Sequence, residues 1–171
     1  EVTPHHLTFT SALIAELGPA ASVHPPLRSE ADVQALRQGV RDGTVDAFAS
    51  DHAPHTAQEK SGNSQPAAPG FSGLEIAVGA YAAALPDLPV SRFVELLSTN
   101  PARIVGVRGG SLAIGAAADV TIFADQPWTV NPASFASKGK CTPFAGRRLP
   151  RRVLATIVGG IVRYRAPERA A

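Results

Sequence analysis

The stretch SEADVQALRQGVRDG, followed at once by VDAFAS, constrains the fold more than any other part of this chain. Ser29 is of a helix-capping type, Val33, Leu36 and Val40 recur at helical spacing, and Gly43 closes the pattern. An amphipathic helix is therefore predicted between Ser29 and Gly43. VDAFAS is a compact apolar run of strand length, as expected for a parallel strand covered on both faces. Upstream, EVTPHHLTFT is β-rich, and Pro4 should end a short strand just before His5 and His6. The order strand, helix, strand implies a βαβ unit with a right-handed crossover, and so an α/β architecture.

Residues 56–72 turn polar, with Gly62, Pro66, Pro69 and Gly70, and predict a long loop of the kind that is either functional or disordered. GLEIAVGAYAAAL reads as an apolar helix, VSRFVELLS as a second one capped by Ser91, and NPARIVGV as a short third. Beyond Gly109 the pattern changes. SLAIGAAADVTIFA predicts two short strands around a small-residue turn, and RRVLATIVGGIVRY two more around Gly159 and Gly160, a pair suited to the positive dihedrals of a tight hairpin. The expected organisation is an α/β portion at residues 1–107 and a separate all-β module at residues 108–171. Trp128, Phe135 and Phe144 should anchor the Pro-, Ser- and Gly-rich stretch between the strand pairs.

With 44% hydrophobic and 18% charged residues in 171, the chain has apolar mass enough for a globular core. The net charge of +2 comes mainly from arginines late in the chain, with no basic stretch interleaved with aromatics, which argues against nucleic acid as a partner. No window reaches the roughly 18 apolar residues of a membrane span, and no signal-peptide pattern opens the chain. The single cysteine, Cys141, cannot form an internal disulfide, so a cytoplasmic location is expected. The chain begins at Glu1 and has no methionine, and it is read as the C-terminal portion of a longer polypeptide.

The chemistry gathers at DAFASDHAPHTAQEK, where the predicted strand runs into Asp51, His52 and His55. In parallel α/β folds, functional groups project from the carboxyl ends of strands. A carboxylate there can bind a divalent metal and pass a proton to and from a reacting group. Imidazole and carboxylate together match the ligands that zinc accepts. An Asp-His pair before Ala-Pro also suits a helix cap or Asx-turn, and both readings stay open on the residues alone.

The stretches EVTPHHL, HPPLRSEADVQAL, SDHAPHTAQEK, GFSGLE, LLSTNPARI, GSLAIGAAADVTIF and TPFAGRRL, in this order, resemble the C-terminal portion of the dihydroorotases, a family of the amidohydrolase superfamily. The resemblance implies the last strands and helices of a (β/α)8 TIM barrel followed by part of a small all-β sandwich. It implies a pair of zinc ions in the complete enzyme, and the hydrolysis of dihydroorotate to N-carbamoyl-L-aspartate, or the reverse closure, in pyrimidine biosynthesis. Asp51 would be a zinc ligand and the catalytic base and acid. His55, Pro69 and Gly70 would bind substrate, as would His24, which stands where the family usually has asparagine or arginine. His5 and His6 match the family's PHH and would sit behind the metal ligands, because the zinc-binding histidines of the family lie upstream. His52 is expected to be structural, and Glu59 and Lys60 a solvated pair. A homodimer, and an association with aspartate transcarbamoylase, are the partners the family suggests. An inactive dihydroorotase-like partner of that transcarbamoylase, or another cyclic amidase such as a hydantoinase, are the alternatives.

Overall fold

A computed structural model describes residues 1–63 and 66–167. Ser64 and Gln65, within the predicted polar loop, lie outside the described residues.

After a short helix α1 (Leu13–Leu17), helix α2 (Glu30–Asp42) forms as the sequence predicts. The Ser29 side chain accepts from the Asp32 amide while Asp32 accepts from the Ser29 amide, a reciprocal capping box, and Gly43 ends the helix in the left-handed region. Val33 and Val40 are its buried residues.

The expected strand at residues 45–50 is only partly realised. It makes one parallel bridge, Val2 to Phe48, with Val2 N–H donating to Ala47 O (3.1 Å) and Ala49 N–H to Val2 O (2.9 Å). Other partners take several more backbone groups of this extended segment. Arg92 donates to Val45 O, Asn100 Nδ2 to Asp46 O, Phe48 N–H to Leu96 O, and the Tyr81 hydroxyl lies 2.6 Å from both Ala49 O and Val2 O. The segment is held at almost every residue, by side chains and a helix rather than by a ladder.

That helix corrects another expectation. Residues 90–105 form one continuous helical stretch, α5 (Val90–Val94), a widened π turn (Glu95–Thr99) and α6 (Asn100–Val105). Pro101 has no N–H, so the carbonyls one turn earlier lose their helical donor, and the wider turn accommodates the proline ring. In the π register the partner of Leu96 O would be Pro101, which leaves that carbonyl for Phe48. The stretch starts at Pro89 with no side-chain cap, so Ser91 lies inside the first turn rather than capping it.

Helix α3 (Ala57–Ser61) follows the DHAPH stretch, capped by a second box between Thr56 and Glu59. Helix α4 (Ala77–Ala84), preceded by a 3-10 turn (Leu74–Ile76), is built of small residues and buried on nearly all sides. It lies between two apolar clusters. One holds Val2, Phe48, Tyr81, Phe93 and Leu96, with Phe48 stacked on Tyr81 at 3.8 Å; the other holds Phe9, Phe71, Ile76, Phe135, Phe144 and Leu149. Burial of Phe135 and Phe144 agrees with their anchoring role, and Trp128 packs at the edge of the second cluster.

A three-stranded antiparallel sheet combines β1 (Val120–Ala124) with β4 (Arg152–Val158) and β5 (Ile161–Arg165) in the order β1-β4-β5, and β2 (Trp128–Thr129) pairs with β3 (Arg148–Leu149) apart from it. Gly159 (φ 57°) and Gly160 (φ 77°) make the hairpin turn between β4 and β5 that the sequence predicts. SLAI, expected as a fourth strand, is not one. Leu112 and Ile114 are exposed, and the backbone there closes only a turn from Ala116 N–H to Ala113 O. Among the described residues no strand lies beside it to complete a ladder.

Candidate active site

Asp51 follows directly on the pinned segment and adopts φ 47°, the one positive φ outside glycine among the described residues. Aspartate tolerates this left-handed region better than most side chains, and such outliers concentrate where a fold positions a functional group. Past the kink the chain pairs again, through a parallel bridge between His52 and Phe71 and a bond from Ala53 N–H to Phe71 O at 2.9 Å. Asp51 is thus held between two anchored segments, with its side chain 36% exposed.

Its nearest polar neighbour is His5, whose Nε2 lies 3.5 Å from Asp51 Oδ2. That distance is too long for a good hydrogen bond. His5 is buried between His6, ring centroids 4.5 Å apart, and the edge of Phe71, and its Nε2 has no hydrogen-bond partner. Burial, with a smaller contribution from His6, holds the His5 pKa down to about 3, so the ring is neutral at ordinary pH and the contact is not an ion pair. Burial raises the Asp51 pKa above the usual aspartate value, opposed by His6 and reinforced by Glu1.

The other histidines are mostly engaged. His6 Nε2 donates to Pro25 O at 2.8 Å, which leaves Nδ1 to accept from the Thr3 hydroxyl at 2.6 Å. His6 therefore ties the start of the chain to the loop carrying His24. His52 Nδ1 accepts from the Gly73 and Leu74 amides, both at 3.1 Å, so its proton sits on Nε2, facing Ser137 Oγ at 3.2 Å. Ser137 in turn donates to Glu75 Oε1 at 2.6 Å. His52 thus fastens the start of the GLE turn and the 137 loop. His55 Nε2 donates to Pro69 O at 3.1 Å, and its Nδ1 lies 3.8 Å from Glu59 Oε2. His24 is exposed, and no side-chain bond fixes it among the described residues.

The structure brings His55 against Pro69 directly, and Gly70 N–H against Ser22 O at 3.0 Å, two residues before His24. His24, His55, Pro69 and Gly70 therefore belong to one set of interlocked loops, while Asp51 and His5 form a separate pair. Lys60 overturns the expectation of a solvated pair. It is 2% exposed, and its Nζ donates to Ser22 O and Ala68 O, both at 2.8 Å, while Glu59 caps α3. A lysine in a polar, Gly-rich stretch gives no sign of burial, because both carbonyls belong to other segments. Gly139 was also missed. A Cβ there would lie 2.6 Å from His55 N and 2.7 Å from His55 O, so only glycine lets the 139 loop pass under the DHAPH segment. Its place in SKGKC, far along the chain, carried no signal.

As a metal site the donor set is partial. Among the described residues nothing donates a hydrogen bond to the Asp51 carboxylate, and His5 offers a buried imidazole nitrogen without a partner. Both donors suit zinc. No group of three or more histidine, cysteine, aspartate or glutamate side chains is placed to hold a metal among the described residues.

The amidohydrolase family profile matches residues 2–162. The chain belongs to the amidohydrolase family. Among curated relatives, the dihydroorotase of Anaeromyxobacter dehalogenans (strain 2CP-C) is 48% identical over 165 residues, covering 94% of this chain and 38% of the relative. The dihydroorotase of Syntrophus aciditrophicus (strain SB) is 41% identical over 167 residues, 96% of this chain and 39% of the relative. The chain thus spans about two-fifths of the length of these relatives. Among solved structures, the L-hydantoinase (dihydropyrimidinase) of Arthrobacter aurescens superposes with a TM-score of 0.84 at 27% identity, covering 99% of this chain and 40% of that one. A D-hydantoinase (dihydropyrimidinase) of Thermus sp. superposes with a TM-score of 0.86 at 22% identity, 94% of this chain and 38% of that one. The mixed helix and strand architecture is therefore an amidohydrolase fold, of the TIM-barrel type seen in hydantoinases. No helix among the described residues is long and apolar enough to cross a membrane.

Proposed function

We propose that this chain carries the carboxylate and the substrate loops of a zinc-dependent dihydroorotase, which opens the cyclic amide of dihydroorotate to N-carbamoyl-L-aspartate and closes it again in pyrimidine biosynthesis. In this reading residues 1–107 are the last strands and helices of a (β/α)8 barrel and residues 108–171 part of a β-sandwich. The observation that carries it is Asp51, held in a left-handed kink with a part-exposed carboxylate that accepts no hydrogen bond among the described residues, beside a buried His5 nitrogen that also lacks a partner there. The 48% and 41% identities to dihydroorotases favour that substrate class over the hydantoinases, which share less sequence.

Asp51 and the histidines upstream in the family would hold zinc, which when bound supplies Lewis acidity and a nucleophile at neutral pH. Asp51 takes a proton from the attacking group and returns it to the leaving nitrogen. Burial, by raising its pKa, brings the carboxylate nearer the range in which it can do both. His5 stays neutral and lends the carboxylate no charge. The substrate faces the interlocked loops, where some groups are already taken. Gly70 N–H is bonded to Ser22 O and Pro69 O accepts from His55, which leaves the Gly70 carbonyl to accept from a ring N–H and the exposed His24 to meet a carboxylate or ring carbonyl.

Asp51→Asn in the full-length protein keeps the shape of the side chain and removes the proton acceptor. Turnover of dihydroorotate should fall at least about a thousandfold, with the melting temperature nearly unchanged. Turnover within tenfold of wild type would remove Asp51 from the mechanism. The hydantoinase superpositions support a second reading, an amidase for another cyclic substrate, and faster opening of hydantoin or dihydrouracil than of dihydroorotate would favour it.

A further inference from the structure

Lys60 is the one fully buried cation in the described chain, and it has no carboxylate partner there. An unpaired buried ammonium is costly unless its donors are satisfied. Here two of its protons go to backbone carbonyls, Ser22 O and Ala68 O, and the ammonium lies 5.0 Å from the centre of the Phe71 ring, over its electron-rich face. Burial lowers its pKa from the ordinary lysine value, opposed by Cys141.

The two carbonyls define what this arrangement does. Ser22 O also accepts from Gly70 N–H at 3.0 Å, so the ammonium sits where the 22–24 loop meets the 68–70 loop. Ala68 is fixed from its other side by a bond from its N–H to Glu59 O at 2.9 Å, at the end of α3. His24 comes two residues after Ser22, Pro69 and Gly70 directly after Ala68, and His55 bonds to Pro69 O one residue before the capped start of α3. All four candidate substrate residues thus lie on backbone that one ammonium joins. An apolar side chain would leave Ala68 O without its donor and Ser22 O with only the Gly70 amide, and the loops freer to separate.

We propose that Lys60 is a positioning residue that sets the spacing of the His24 and Pro69–Gly70 loops and thereby the affinity for substrate. It does not touch the substrate. This rests on the dihydroorotase reading for its kinetic arm, but the loop spacing can be tested without it. Lys60→Met keeps length and apolar bulk and removes the donors. In the full-length, zinc-loaded protein it should raise KM for dihydroorotate by about tenfold or more, the scale of one lost positioned contact. The kcat should change less than about threefold and the zinc content not at all, because the metal side of the site is untouched. Amide exchange in peptides covering residues 20–27 and 66–72 should quicken. The longer, planar guanidinium keeps donors for the carbonyls but cannot sit where the compact ammonium does, so Lys60→Arg should fold with altered loop spacing and still show a raised KM, which keeps the test available if the methionine variant is insoluble. An unchanged KM in the folded variant overturns the proposal, as does a loss carried by kcat alone. If the wild-type protein does not open dihydroorotate, the activity reading fails by itself. Exchange at Gly70 then decides for Lys60, and unaltered protection there refutes it.

Discussion

The spacing between the DHAPH segment and the Pro69–Gly70 loop is set by the absence of one carbon atom. Gly70 has φ +127°, a conformation side chains rarely adopt, and a Cβ there would lie 2.4 Å from Ala53 Cβ and 3.1 Å from Ala53 O. Two carbons in contact need about 3.5–4.0 Å, so in Gly70→Ala the loop or the DHAPH segment must retreat by more than about 1 Å. The dihedral costs of order 1–3 kcal/mol and the overpacking about as much again, together roughly 2–6 kcal/mol. If this loop meets the substrate as proposed, a displacement of that size should lower kcat/KM by about a hundredfold. Ala53→Gly separates the two causes, because it removes the 2.4 Å contact and leaves the dihedral and the carbonyl contact in place. Thermal melts and kcat/KM of wild type, both single variants and the double variant make a complete cycle, and the double should recover about 1–3 kcal/mol of the Gly70→Ala loss. Additive effects, with no recovery, would show that the two segments do not bear on each other and that the close approach has no energetic consequence.

Gly79→Ala tests packing against propensity. A helix interior favours alanine by about 1 kcal/mol, yet a Cβ at Gly79 would lie 2.6 Å from Arg151 O and 2.9 Å from Leu149 Cβ. The variant should therefore lose about 1–3 kcal/mol in a denaturant titration, and any gain in stability would contradict the contact between α4 and residues 149–151. For His5, the folded pKa of about 3 lies below the ordinary 6.5. Its contribution to stability is complete above pH 6.5 and is lost as the pH falls from there toward 3, because only the unfolded chain takes up the proton. In chelator-treated protein the slope should approach about 1.4 kcal/mol per pH unit between pH 6 and 5, partly offset by the raised pKa of Asp51, and His5→Gln should flatten it. An equal slope in that variant would show that His5 titrates normally.

Local rules made some elements legible and long-range partners hid others. The cap at Ser29, the spacing of Val33 and Val40 and the stop at Gly43 all act within one helix, so the residues needed to predict it are neighbours in sequence. The Gly159–Gly160 turn is equally local. By contrast, the 45–49 segment reads as a strand because its side chains are apolar, but beyond the single bridge to Val2 its backbone partners are Arg92, Asn100, Leu96 and Tyr81, roughly 30 to 55 residues away. The break expected between LLS and NPARIV fails for a related reason, because a π turn can absorb Pro101 when a carbonyl it orphans finds a donor in Phe48. Lys60 was misread because charge predicts exposure unless the carbonyls that satisfy it are known. The DHAPH motif was recognised, but the sorting of its polar atoms into engaged and open depended on Pro69, Gly73 and Ser137.

That sorting bears on function more directly than the motif does. A buried polar atom without a partner costs about 1–3 kcal/mol, and folds avoid such atoms except where another requirement overrides stability. Two are found among the described residues, His5 Nε2 and Glu75 Oε2. Glu75 is explained by its other oxygen, which takes both the hydroxyl and the amide of Ser137 and so fixes the carboxyl group in the network with His52. His5 has no such compensation at Nε2. Its open nitrogen faces a part-exposed carboxylate that no described residue bonds, on a residue held at positive φ. Dihedral strain and an unpaired imidazole coincide within 3.5 Å of a solvent-reachable carboxylate, whereas His6, His52 and His55 are each tied into loop structure. A purely architectural role for Asp51 would give no reason for both costs to fall together. The proposed role of Asp51, a carboxylate open to ligand and proton, does.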